Sequence, residues 1–148
     1  MDDRQPDLRR RVRAFLQGGR VCVFASASPQ GEPHTSVVSW ALARDEDIVA
    51  LALDSRSRHL VNLRENPRGA LEVLGDDLAV RLTGPTRIVR EEMESSPFPS
   101  ALVELQVEQL RDHGVAGLRL VGPRYDFDAA HRYRQAVEQA VYRELRGD

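Results

Sequence analysis

The chain has 148 residues, 41% apolar and 30% charged, with a net charge of −2 at pH 7, the profile of one globular domain with room for a real core. No apolar run approaches the roughly 18 residues of a membrane span, so no membrane is expected as a partner, and the charge balance gives no electrostatic ground for binding nucleic acid. All 21 basic residues are arginine, which excludes lysine Schiff-base chemistry and a P-loop, and the single Cys22 cannot form an internal disulfide. The charged N-terminus lacks a signal-peptide core, so a cytoplasmic location is expected. No Cys/His cluster has zinc spacing.

Residues 6–17 read as a helix: Pro6 suits the first turn, Leu8, Val12, Phe15 and Leu16 form one apolar face, and Gly18-Gly19 ends it. Its run of arginines, Arg9, Arg10, Arg11 and Arg13, reads first as a solvated face, with a phosphate or acidic partner as the lesser alternative. Residues 21–28 read as a first strand, 29–33 as a turn and 34–43 as a second strand. The polar turn 44–47 leads into residues 48–53, a short and uniformly apolar segment that reads as a buried third strand. The period then changes to helical, with Leu60 and Leu63 at helical spacing, until Asn66-Pro67 stops the helix. A fourth strand is expected at 69–74. A long fifth follows at 78–89, bent or bulged at Gly84-Pro85.

Beyond Arg90 the texture turns polar, and 91–99 reads as a loop. Val103, Val107 and Leu110 suggest a helix over 100–113. The alternation in 115–121 suggests a sixth strand. Asp128 looks like the N-cap of a final helix to about Leu145, with Ala130, Tyr133, Val137, Val141 and Leu145 as its stripe. Short connections between successive strands indicate a mostly antiparallel sheet, and a partly closed barrel removes its edges.

The chemistry is concentrated where the third strand meets the following helix. Ser55, Arg56, Ser57, Arg58 and His59 crowd the first helical turn. A helix N-terminus is already partly positive, so cations there are electrostatically misplaced unless an anion sits on them. N–H groups, hydroxyls and guanidinium forks all donate to phosphate. The competing reading is an ordinary N-cap serine with solvated arginines, and the local pattern does not choose between the two. Trp40 reads either as a stacking partner for a ligand or as a core or interface tryptophan. Cys22 reads as a small core hydrophobe, and His34 as a capping or surface residue. Tyr125 and Phe127 fit core packing or a dimer interface. Residues 95–99 have the look of a lid, though such loops often have no such role.

The ordered set Gly31, Pro33, His34, then Ser57, Arg58, Asn62, Leu63, Asn66, Pro67, then Val80, Arg81, Gly84 resembles the FMN-binding split-barrel family, relatives of pyridoxamine 5′-phosphate oxidase. The resemblance covers about residues 12–89. It implies a mainly β fold, a six-stranded antiparallel split barrel with N-terminal, inter-strand and C-terminal helices in one domain. It also implies a homodimer with FMN at the interface and a small-molecule substrate. By position, Ser57 and Arg58 would be phosphate ligands and His59 a third, with Ser55 and Arg56 beside them. Thr35, Ser36, Val37, Val38 and Ser39 would line the flavin ring, and Arg81 could reach the cofactor from a neighbouring strand.

Where pyridoxamine-phosphate oxidases carry an arginine, a lysine and a threonine, this chain has Ser36, Ala41 and Leu53, so vitamin B6 oxidation itself is not expected. The reading is a flavin-dependent oxidoreductase with no protein acid–base pair. The alternatives are a non-catalytic flavin or haem carrier or sensor, and a deazaflavin-dependent reductase.

Overall fold

The computed structural model describes residues 4–148. In chain order its elements are α1 (Arg4–Phe15), β1 (Cys22–Ala27), β2 (Pro33–Val38), β3 (Ala41–Ala43), β4 (Ile48–Asp54), α2 (Arg58–Glu65), β5 (Arg68–Gly75), β6 (Leu78–Arg90), β7 (Ser100–Gln106) and β8 (Gln109–Asp112). A 3₁₀ turn (Ala129–His131) precedes α3 (Arg134–Arg146).

The strands form one antiparallel sheet in the order β2-β1-β5-β6-β7-β4-β3, with β8 on β6. The two ends of this path, β2 and β3, are successive in the chain, with only Ser39 and Trp40 between them. The sheet therefore curls until its edges meet, yet β2 and β3 exchange no ladder bonds, and the barrel is split at that point. The second strand expected over 34–43 is thus two strands broken at Ser39-Trp40.

β6 carries the curl. Its residues from Leu78 to Pro85 pair with β5, and those from Thr86 onward pair with β7. The switch falls at the Gly84-Pro85 step, as expected. Gly84 is required there because a Cβ would lie 1.7 Å from the Gln106 carbonyl oxygen, where the link between β7 and β8 crosses over. Glu108 N–H donates to the Thr83 carbonyl in that crossing, at 2.9 Å.

Two expectations fail. Residues 100–113 form β7 and β8 instead of a helix, and 115–121 form no strand. The first failure has a packing cause. Ala101, Val103 and Leu105 point into the barrel, while Leu102 packs with Val141, Tyr142 and Leu145 of α3. β4 divides the same way, with Val49, Leu51 and Leu53 inside and Ala50 and Ala52 under α3. A strand buried on both faces has no alternation to read, and its apolar residues fit either period. In 115–121 the Leu120 N–H and C=O are instead tied to Asp77 in the β5–β6 turn. Val115, Leu118 and Val121 stay exposed. The strand count is therefore eight, not six. α1 closes one end of the barrel through Leu8, Val12, Phe15 and Leu16. None of the described helices is long and apolar enough to cross a membrane.

Candidate functional site

The split opens onto a cavity of about 620 Å³, within the roughly 300–1,000 Å³ usual for small-ligand sites. Residues 36–40 form one wall, and the end of β4 with Ser57 and His59 forms a second. Phe98 of the 91–99 loop and residues of the C-terminal segment cover it. Five of the chain's eight aromatic residues line this one space: Trp40, Phe98, Tyr125, Phe127 and Tyr133. The Trp40 and Phe98 rings stack, with centroids 5.4 Å apart and planes 13° from parallel.

The four consecutive residues from Arg56 to His59 go to four different places: Arg56 and Ser57 lie in the turn before α2, Ser57 extended as its N-cap, and the helical step of about 100° per residue begins only at Arg58. Arg56 is turned outward and forms a two-pronged pair with Asp54, at 3.0 and 2.9 Å. Those bonds hold the Asp54 carboxyl below its usual range. Ser57 faces the cavity as N-cap of α2, but its Oγ makes no capping bond and is buried without a partner among the described residues. Arg58 forms no ion pair among the described residues and opens with His34 and Glu32 on an adjoining recess of about 140 Å³. Ser55 lies outside both, its N–H bonded to the Pro99 carbonyl.

His59 turns inward and is 2% exposed. Its Nδ1 lies 2.7 Å from Ser26 Oγ and its Nε2 2.7 Å from Ser36 Oγ. Burial, with the His34 ring 4.5 Å away adding to it, lowers its pKa to about 4, so it is neutral at pH 7. Asn62 Nδ2 donates to Ser26 Oγ at 3.1 Å. In the tautomer with the imidazole hydrogen on Nε2, the Ser26 hydroxyl donates to Nδ1 and Nε2–H donates to Ser36 Oγ. The Ser36 hydroxyl is then left as a donor to the cavity.

Of the ring-lining residues expected from the sequence, Ser36, Val37, Val38 and Ser39 reach the cavity, and Thr35 does not. Arg81 lies elsewhere, in a separate depression on the outer face of β6 and β8. The sequence reading missed the C-terminal wall. Glu138 is buried there, accepting from Trp40 Nε1 at 3.2 Å and from the Tyr125 hydroxyl at 2.9 Å. Tyr142 donates to the Ser39 carbonyl at 2.8 Å and accepts from Gly19 N–H. The apolar stripe of α3 is therefore rotated from the expected one: Glu138, Val141, Tyr142 and Leu145 face inward, and Tyr133 is exposed. The signal was an acid at i, i+3, i+4, i+7 spacing with Val141, Tyr142 and Leu145.

The strand order and the seam define a split antiparallel barrel with a helix N-terminus and an aromatic-lined cavity. The family model of pyridoxamine 5′-phosphate oxidase matches residues 8–120, and the chain belongs to that family. Among solved structures it resembles an FMN-binding protein from Syntrophomonas wolfei, at 16% identity over 78% of this chain and 91% of that one, with a TM-score of 0.64. HupZ of Group A Streptococcus is similar at 13% identity, 82% and 99% coverage and a TM-score of 0.57. HutZ, the heme storage protein from Vibrio cholerae, is similar at 18% identity, 71% and 94% coverage and a TM-score of 0.56. These identities speak to fold alone. No curated protein sequence matches the chain.

Proposed function

We propose that this chain binds FMN in the cavity at the barrel split and acts as a flavin-dependent oxidoreductase on a small molecule. The observation that carries the reading is the Ser57 hydroxyl. It is a polar atom buried in the cavity wall without a partner, at the N-terminus of α2, where free first-turn N–H groups favour an anion. Beyond it lies an aromatic-lined space suited to a flat ring system. An anionic group joined to a flat aromatic ring is the shape of FMN.

Ser57 and the first-turn N–H groups of α2 would hold the phosphate, with Arg58 beside them. Residues 36–39 would lie along the ring, and the Ser36 hydroxyl would donate to an acceptor on it. FMN supplies the hydride chemistry when bound, and the protein supplies position and electrostatics. Phe98, Phe127 and Tyr133 would keep water from the ring. Haem fits less well, because the one histidine in the wall has both ring nitrogens bonded to serines and offers no free nitrogen to iron.

The chain would work as a homodimer. β2 is an edge strand, and Val37, 70% exposed, lies on the cavity wall. A second copy on that face would complete the cover. Light scattering should give twice the chain mass.

The test is a titration of apoprotein with FMN, followed by quenching of Trp40, the only tryptophan. Saturation at one FMN per chain supports the site. Bleaching of the bound flavin by a nicotinamide donor, and its return with an electron acceptor, supports an enzyme. Flavin that binds without turning over would leave a carrier. A Soret band with haem, or binding of a deazaflavin in preference to FMN, would replace the cofactor in this reading.

A further inference from the structure

We propose a second ligand site, for a small polyanion, on the outer face of β6 and β8, sharing no residue with the FMN cavity. Its centre is Arg81. In the β6–β8 register Arg81 stands directly opposite Arg111. Directly opposed side chains on adjacent antiparallel strands share a face, and like charges so placed repel. The natural counter-ion is Glu72, opposite Arg81 on β5. Glu72 instead holds His113, Nδ1 to Oε1 at 3.1 Å, and makes no ion pair with Arg81. Arg81 Nε is buried with no acceptor.

An N–H of a cation left unpaired in the protein interior is costly and calls for a partner. None of the described residues supplies one. Arg81 and Arg111 line a depression of about 940 Å³ together with Arg11, which α1 brings from the other side. Arg11 and Arg111 also form no ion pair among the described residues. The acids around them have other partners: Asp7 is paired with Arg10, Glu108 with Arg68, and Asp112 accepts the Gly114 N–H.

Arginine as such carries no weight here, because every basic residue of the chain is arginine. What carries the inference is the arrangement. Three unpaired guanidinium groups from three elements meet at one depression, two of them opposed across a ladder and one with its N–H buried and unmet. Planar forks of this kind match clustered oxygens, as in a phosphate ester, a diphosphate or a polycarboxylate.

The experiment is calorimetric titration of the full-length protein with pyrophosphate and, separately, with citrate at low ionic strength, on wild type, Arg81→Gln, Arg111→Gln and Arg13→Gln. Arg13 lies on α1 outside the depression and is the control. The expected result is one saturable site, weakened tenfold or more in Arg81→Gln and in Arg111→Gln and unchanged in Arg13→Gln. Tighter pyrophosphate would assign the site to phosphates, and tighter citrate to carboxylates. Arg81→Gln should also fold at least as well as wild type, because it removes a guanidinium N–H that is buried without an acceptor.

Absence of saturable binding, or binding that survives both substitutions, overturns the proposal. So does a change of oligomeric mass in the two variants, since Arg81 would then pair with an acid of a second copy. Repeating the titration in Ser57→Ala separates this site from the FMN reading. The polyanion should bind there unchanged whether or not the flavin does.

Discussion

At the scale of single residues, the basic turn was visible in the sequence but its division of labour was not. Composition placed a serine and two arginines at a helix start. The turn at Arg56, the extended N-cap at Ser57 and the first helical step from Arg58 to His59 decide which one faces the cavity. The outcome yields an ordered prediction for FMN affinity. Arg56→Ala should leave it unchanged, because Asp54 already holds that guanidinium away from the site. Arg58→Ala should weaken it by about 1.5–3 kcal/mol and Ser57→Ala by about 1 kcal/mol, the range of charged and neutral hydrogen bonds. Ser57→Ala carries a second signature. Replacing an N-cap serine usually costs about 1 kcal/mol of stability, yet this hydroxyl makes no capping bond, so urea melts of the apoprotein should barely move.

His59 makes a pH prediction. Its pKa falls from an ordinary 6.5 to about 4 in the fold, chiefly through burial. Between those values the unfolded chain binds more protons than the folded one, so stability rises with pH across the window. The contribution is complete above about pH 6.5 and is lost as pH falls toward 4, a span of about 3 kcal/mol. Urea unfolding of wild type at pH 4.5 and 7.5 should show this slope. His59→Gln should lose most of it, whatever its absolute stability. An equal slope in the variant would assign the pH dependence to other groups.

At the scale of elements, the strands that alternate or sit between clear turns were legible, and so were α1, α2 and the bend at Gly84. What was hidden is what tertiary packing decides. β7 is covered by the barrel on one face and by α3 on the other, so its apolar run Ala101, Leu102, Val103 and Leu105 shows no alternation, and Val103, Val107 and Leu110 mimic a helical repeat. The break at Ser39-Trp40 is equally silent locally. It depends on Glu138 and Tyr142, residues some hundred positions away, which hold the Trp40 indole and the Ser39 carbonyl. Gly84 is the element-scale test. An added methyl would meet the Gln106 backbone at 1.7 Å, and no flexible side chain is there to yield. Gly84→Ala should cost more than about 2 kcal/mol, at the severe end of single substitutions, and lower the urea midpoint accordingly. Gly117→Ala is the comparison. It has open space around its Cβ position and strain only from φ of +83°, so it should cost less.

At the scale of the whole molecule, the cavity belongs to neither the barrel nor the C-terminal helix alone. The barrel supplies the seam, and α3 with the segment before it supplies the cover, joined through Glu138. That carboxylate binds the Trp40 N–H and the Tyr125 hydroxyl, one from the seam and one from the cover. Glu138→Ala leaves the Trp40 N–H without its acceptor and the Tyr125 hydroxyl with only Tyr142, 3.2 Å away, a loss of about 1–3 kcal/mol in this half-buried place. The loss should be local. α3 also rests on the sheet through Val141, Tyr142 and Leu145, so the helix should stay docked at its C-terminal end while its first turns and residues 123–133 open. Hydrogen exchange should accelerate over 123–138 and stay unchanged in β4–β7. Trp40 fluorescence should shift to the red as the indole meets water, and FMN should bind more weakly because one wall of its cavity has loosened. Uniform acceleration over the barrel would mean that α3 is part of one cooperative unit with the sheet. Unchanged exchange throughout would mean that the apolar contacts of α3 hold the cover in place without Glu138.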